Sequence, residues 1–453
     1  MPERGREQTA SGHLEIPELE GVRSQLEEMT VRMRATGLSE DEAFLIAVKR
    51  LAANDPAVLA FGREHFAGLW DMPSGDLAEP VPEAPGAAVA LVEGRRGFVV
   101  MAVFACVAAI AIRLPEAFGF GLTDPSDTGS FYGRNIGFLV LPALAGWFLW
   151  LRRPSVQVVI ALAAVFGALA AVVNSYPFDE GGSTDILAMM HLLALLWLVV
   201  GVAYTGGEWR SSRRRMGYVR FTGEWFVWYV LIAFGGGVFV TATVWAFWAI
   251  GVDVTDFASL WLLPCGAAGA VVVAAWLAEE RGGVVSGVAP VLSRLFTPLF
   301  AAMLLVFLVV TQFRGQIIHG DREVLFFFNV LVALVLALIL YSASARRPDA
   351  PPGGFDILQT VLAGAALITD LLVLVVIIGR IAQYGWSPNR AAVLGMNLIL
   401  LVNLAGTTWL YARLLRRRQA FADIVRWQTV HFGVYAAWAA VIVVAFPPIF
   451  DFA

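Results

Sequence analysis

The chain has 453 residues, 58% of them apolar and 15% charged, with a formal net charge of −4 and a mean hydropathy of +0.72. Water-soluble domains are nearer about 45–50% apolar, so lipid must solvate most of this chain. The acidic balance argues against a nucleic-acid partner. The two cysteines, Cys106 and Cys265, lie in apolar runs without CxxC or HExxH spacing, so no disulfide, metal centre or cofactor is expected.

The first 72 residues read as a soluble helical domain. Leu19, Val22, Leu26, Met29 and Met33 recur at helical spacing within residues 16–36, and Gly37 ends that helix. Ser39-Glu40-Asp41-Glu42 forms a capping box for a second helix, Glu40 to Leu51. Asp55-Pro56 opens a third, running through Phe61, Phe66 and Trp70. Pro73, Pro80, Pro82 and Pro85 then predict a stiff, extended linker over residues 73–94. The polar N-terminus predicts no cleavable signal peptide, so the first span serves as the insertion signal.

The stretch Leu38 to Trp70 resembles the permease prefix domain, a short module that precedes several kinds of bacterial membrane protein. The resemblance implies a cytoplasmic accessory domain, and residues 1–72 are a candidate surface for a protein partner. No chemistry comes with it.

The remainder predicts an all-α polytopic membrane protein. Eleven spans are expected, near residues 97–112, 135–151, 156–174, 186–205, 225–250, 258–278, 296–313, 324–342, 357–379, 391–411 and 429–447. With the N-terminus inside, the inner loops carry 18 Arg and the outer loops six, so the C-terminus is expected outside. An Arg-rich loop, 206–223, divides a four-span segment (95–205) from a seven-span core (224–453). Its Arg210, Arg213, Arg214 and Arg215 are candidates for binding anionic lipid. Residues 282–295 are too polar to span and suggest an interfacial or re-entrant segment.

Polar side chains within spans are the candidate site, because burying them in hydrocarbon is costly. Asp370 is the sharpest, mid-span in ALITDLLVLVVII. At the helix centre Asp costs about 3 kcal/mol, so it must be protonated, paired or facing a cavity. His191, Asn329, Asn397 and Asn403 are further candidates, with helix packing as the simpler role for each. Asn397 and Asn403 point about 120° apart on their helix, so they do not form one face. Gly235, Gly236 and Gly237 interrupt span five, and Pro264, with Gly266 and Gly269, interrupts span six. Such breaks can free carbonyls for an ion, or serve only packing.

Before span ten the chain reads Tyr384-Gly385-Trp386-Ser387-Pro388-Asn389-Arg390. Ser387 suits an N-cap and Pro388 the first helical position. Arg390 then sits where the helix dipole disfavours a cation, which predicts an anionic partner: a carboxylate of another loop, a lipid phosphate or a ligand. This turn, with Tyr384, Gly385, Ser387 and Arg390, resembles that of an uncharacterised bacterial family of polytopic membrane proteins, a domain of unknown function. The similar region runs from about Phe226 to the C-terminus and includes the Ile250 to Asp253 turn. Trp386 departs from the smaller aliphatic expected there. The resemblance implies an inner-membrane core and no assigned activity.

Three functions compete. A solute or ion transporter or channel, with Asp370 in or near its pathway, uses the most features. A non-catalytic regulator or assembly subunit would rest on the N-terminal domain. A membrane enzyme acting on lipid or an envelope precursor has least support: no nucleotide, zinc or nucleophile motif is present, and the ionisable cluster His319, Asp321, Arg322 and Glu323 reads as a solvated loop.

Overall fold

In lipid a backbone has few options, because its N–H and C=O groups must be bonded within the protein. All regular structure among the described residues is accordingly helical. The structure is a computed structural model, which describes residue 31 and residues 87–121, 128–179, 181–280, 288–314, 322–347 and 350–452. Contacts divide the chain into two units, Met1–Leu91 and Val92–Ala453. The expected three-helix domain of residues 1–72 lies outside the described residues, apart from Val31.

In chain order the long helices are α1 (Ala87–Ala111), α2 (Thr128–Arg152), α3 (Val156–Ser175), α4 (Ser183–Tyr204) and α5 (Ser212–Ala249). Then come α6 (Thr255–Glu280), α7 (Val288–Arg314), α8 (Arg322–Ala345), α9 (Gly354–Tyr384), α10 (Pro388–Leu415) and α11 (Phe421–Ile449). Eleven helical segments are long and apolar enough to cross a membrane. The chain is a polytopic helical membrane protein.

Four expectations need correction. The last eight residues of the 73–94 linker are helical, since α1 begins at Ala87. The Arg-rich loop is short, because α5 begins at Ser212 and carries Arg213 to Arg220 on its first turns. Arg is a good helix former, Ser211 Oγ accepts from the Arg214 N–H at 3.4 Å, and Glu208 pairs with Arg214 at 2.8 Å. Residues 288–295, expected in a re-entrant segment, are the first turns of α7. Finally, α5 runs unbroken through Gly235, Gly236 and Gly237. Each Gly costs a helix about 1 kcal/mol, whereas an unbonded backbone group in lipid costs several, so the helix continues.

Two cores form. The first joins α1, α2, α3, α4 and α6 around Trp147, Phe148, Leu196 and Val272. The second joins α7, α8, α9 and α10 around Leu304, Ile339, Leu362 and Leu404, with Ile424 of α11. The division into cores differs from the order of four spans before the Arg-rich loop and seven after it, since α6 packs on α2 and α5 in the first core. Two helices serve both cores: α5 places Phe221 in the first and Met216 in the second, and α11 places Val443 in the first and Ile424 in the second.

Small residues govern the α10/α11 contact, as in membranes generally. A Cβ on Gly395 would overlap the Trp438 ring, and one on Gly406 would overlap the Trp427 ring. Each pair is eleven residues apart on its own helix, so two indole-on-glycine sockets set one antiparallel register.

Candidate functional site

Helix α9 is fastened at both ends. At its start, Asp356 Oδ2 accepts from the Gly353 N–H at 2.9 Å, and Arg346 grips the same carboxylate at 2.9 and 3.1 Å. At its end, Gly385 takes a positive φ of 77° and its N–H donates to Ile381 O at 2.9 Å. Arg390 Nη1 donates to the carbonyls of Tyr384 and Gly385, at 3.0 and 2.7 Å. The expected anionic partner of Arg390 is therefore the negative end of the α9 dipole, and no carboxylate pairs with it among the described residues. Ser387 caps α10 as expected, accepting from the Arg390 N–H at 3.4 Å.

Between these ends Asp370 is wholly buried, and neither carboxylate oxygen has a hydrogen-bond partner. It lies on a buried stripe of α9 that includes Gln359, Ala363, Ala366, Asp370, Val373 and Ile377. Gln359 Nε2 donates to Thr297 Oγ1 of α7 at 3.3 Å, while Gln359 Oε1 is unpartnered. A Cβ built on Gly364 would lie 3.8 Å from Thr408 Cγ2 of α10. Asp370 is six residues on from Gly364, and Val402 six back from Thr408. The antiparallel pairing therefore puts Asp370 at the level of Val402 and Asn403.

The other buried amides surround this level. Asn397 Nδ2 donates to Asn329 Oδ1 of α8 at 2.5 Å and to Val393 O at 2.7 Å, and Asn329 Nδ2 donates to Leu325 O at 2.8 Å. Asn403 faces a different neighbour. Thr407 Oγ1 donates to Asn403 Oδ1 at 3.1 Å, and Gln428 Nε2 of α11 donates to Thr407 Oγ1 at 2.6 Å. Asn397 Oδ1, Asn403 Nδ2 and Gln428 Oε1 keep no partner. The second core thus brings Asn329, Asn397, Asn403 and Asp370 into adjacent helices, with the two asparagines of α10 serving separate contacts.

His191 does not join them. It lies on α4 beside the first core, and its Nδ1 donates to Leu187 O at 2.9 Å, the packing role. Gly235, Gly236 and Gly237 of α5 have open space where a Cβ would stand, so they neither break the helix nor seat a neighbour.

Pro264 does disturb its span. It follows a π-helical turn, Ala258–Leu262, and cannot bond the carbonyl four residues back, Leu260 O. Arg113 Nη1 fills that carbonyl at 2.7 Å, with its guanidinium 4.2 Å from the Trp261 ring centroid and paired to Glu116. The same device recurs in α11. A π turn, Val441–Ala445, precedes Pro447 and Pro448, and Tyr176 Oη donates to Val444 O at 2.8 Å. The carbonyls four residues before Pro264 and Pro448, Leu260 O and Val444 O, are therefore occupied by side chains of this chain.

Several functional candidates escaped the sequence. Gln359, Thr297, Thr407 and Gln428 are polar, wholly or almost wholly buried and within spans. Gln359 was legible in principle, eleven residues before Asp370 and hence on its face. Arg134 and Asp185, expected in outer loops, form a buried ion pair between α2 and α4, Nε to Oδ1 at 3.1 Å. Among the described residues no three His, Cys, Asp or Glu side chains converge as metal ligands do.

Eleven lipid-length helices with a buried, unpaired carboxyl in the second core define a polytopic membrane protein with an intramembrane acidic site. No family model, curated protein or solved structure matches the chain.

Proposed function

We propose that the protein is a transporter or channel for a solute or ion, with Asp370 as the group that takes a cation, proton included, within the membrane. One observation carries this reading: Asp370 is fully buried at mid-span and both its oxygens lack a hydrogen-bond partner. A carboxyl that served packing would bond a neighbouring helix, as Asn397 bonds Asn329. Leaving it unpartnered costs roughly 1–3 kcal/mol, a cost with no structural return. Intramembrane carboxyls of this kind mark ion and proton pathways. Arg210 and Arg213 are exposed at the start of α5, which suits contact with anionic headgroups as an accessory role.

The test is flux of protons and monovalent cations into proteoliposomes holding the full chain. Wild type should carry one of them, and Asp370→Asn, eluting as the same folded species, should not. Equal flux through both proteins would remove Asp370 from the pathway. If neither protein carries any ion, the chain is better read as a non-catalytic membrane subunit.

A further inference from the structure

Asp370 is closed off in this conformation, so a pathway needs an element that moves and a side from which it opens. Helix α7 has the features of that element. It packs on α8 and α9 at one side of the second core, and Pro298 within it removes one backbone hydrogen bond, the usual cause of a kink. Next to that proline, Thr297 makes a neutral 3.3 Å contact with Gln359 of α9. Buried residues of α7 toward the core are Ser293, Thr297, Ala301 and Leu304, polar and small at the end nearer the Arg-bearing loops.

On α9 the matching face runs from Gln359 to Asp370. Eleven residues turn a helix through about three full turns, so the two side chains lie within about 20° of one line, about 16 Å apart along the axis. Between them stand only Ala363 and Ala366, both fully buried. Gln359 Oε1 and both Asp370 oxygens are unpartnered, so this seam has polar atoms at each end and methyl groups between. The face from which it starts is the one carrying Arg346 and Asp356.

We propose that α7 is the gate to Asp370: it lifts from α9 about Pro298, breaks the Thr297–Gln359 contact, and admits water and a small cation from the Arg-bearing face along Ala363 and Ala366. This rests on the proposed cation role of Asp370, yet the route can fail while that role stands. The alternative, entry from the opposite face past Asn397, has a tighter closure, because Asn329 and Asn397 bond at 2.5 Å and each also holds a backbone carbonyl.

The experiment uses the full chain with Cys106→Ser and Cys265→Ser, carrying Ala363→Cys, Ala366→Cys or Asp370→Cys singly, in sealed vesicles of both orientations. A membrane-impermeant, positively charged methanethiosulfonate is the probe. Labelling should proceed from the Arg-bearing face for all three, slowing from Ala363→Cys to Asp370→Cys. Adding Ala301→Phe should slow it about tenfold, equivalent to about 1.4 kcal/mol on the barrier. Labelling from the opposite face, labelling from neither face, or indifference to Ala301→Phe would each overturn the route. Because the first two cysteines leave Asp370 in place, misfolding of Asp370→Cys does not decide the matter. Modification of wild-type Asp370 by the lipid-soluble reagent dicyclohexylcarbodiimide, read by mass spectrometry, tests the carboxyl separately. Its absence, with labelling from the Arg-bearing face intact, removes the ionisable site and leaves the route.

Discussion

A single carboxyl among apolar helices sets the terms at the scale of the residue. Asp370 has no donor, no cation and no exposure, whereas the buried Asp185 and Asp356 each have an arginine. The difference predicts opposite responses to substitution. Asp370→Leu should raise stability by about 1–3 kcal/mol, because it removes an unsatisfied buried group without breaking a bond. Asp356→Leu should lower it by about 1–3 kcal/mol, because Arg346 loses its carboxylate partner and the Gly353 N–H its acceptor. Thermal unfolding in detergent, wild type beside both variants, reads the signs directly. A destabilised Asp370→Leu would mean that the carboxyl holds the fold together after all. Asp370 was legible in the sequence because charge within an apolar run needs no partner to be noticed. Its isolation was not, since that depends on which side chains α7, α8 and α10 bring against α9.

Among the elements, glycine shows how far local sequence misleads. The run Gly235 to Gly237 looks like a break, yet it is continuous helix with open space around it. Single glycines in unremarkable contexts, Gly395 and Gly406 among them, are the ones that resist change, because indole rings occupy the place of a Cβ. Gly236→Ala should therefore be neutral or stabilising by up to about 1 kcal/mol. Gly406→Leu should cost about 1–3 kcal/mol or more through overpacking, and should broaden the elution profile. Melting temperatures of the two variants decide it; equal effects would refute the socket. Helix ends were more readable. Ser387 and Pro388 marked the start of α10, because capping is a local contract between a side chain and the next turn. The carbonyls that Arg390 meets at the end of α9 were not foreseen, because they belong to a helix terminus across the turn and no residue letter records that.

The whole molecule carries two cores held by shared helices, and its spans alternate in direction. The Arg-bearing loops between α2 and α3, α4 and α5, and α8 and α9 fall on one side of this arrangement, joined in part by Arg152, which pairs with Glu279 and donates to Tyr204 O. The positive-inside tendency predicts that this side meets the cytoplasm, and labelling tests it. A single cysteine at Arg347 should be labelled only from the cytoplasm, and one at Trp386 or Phe452 only from outside. Labelling of Arg347 and Phe452 from the same side would contradict the three spans, α9 to α11, that separate them.

Span number, helical class and approximate span ends were decided by sequence alone, since hydrocarbon thickness and backbone hydrogen bonding act on each segment independently. Tertiary structure alone decided that α6 joins the first core, that α11 bridges both, and that Gln359 of α9 meets Thr297 of α7. Lipid wets every apolar helix face about equally, so hydropathy cannot say which faces meet. Small residues, indole sockets and the few buried polar contacts make that choice, and they act only once the helices are side by side.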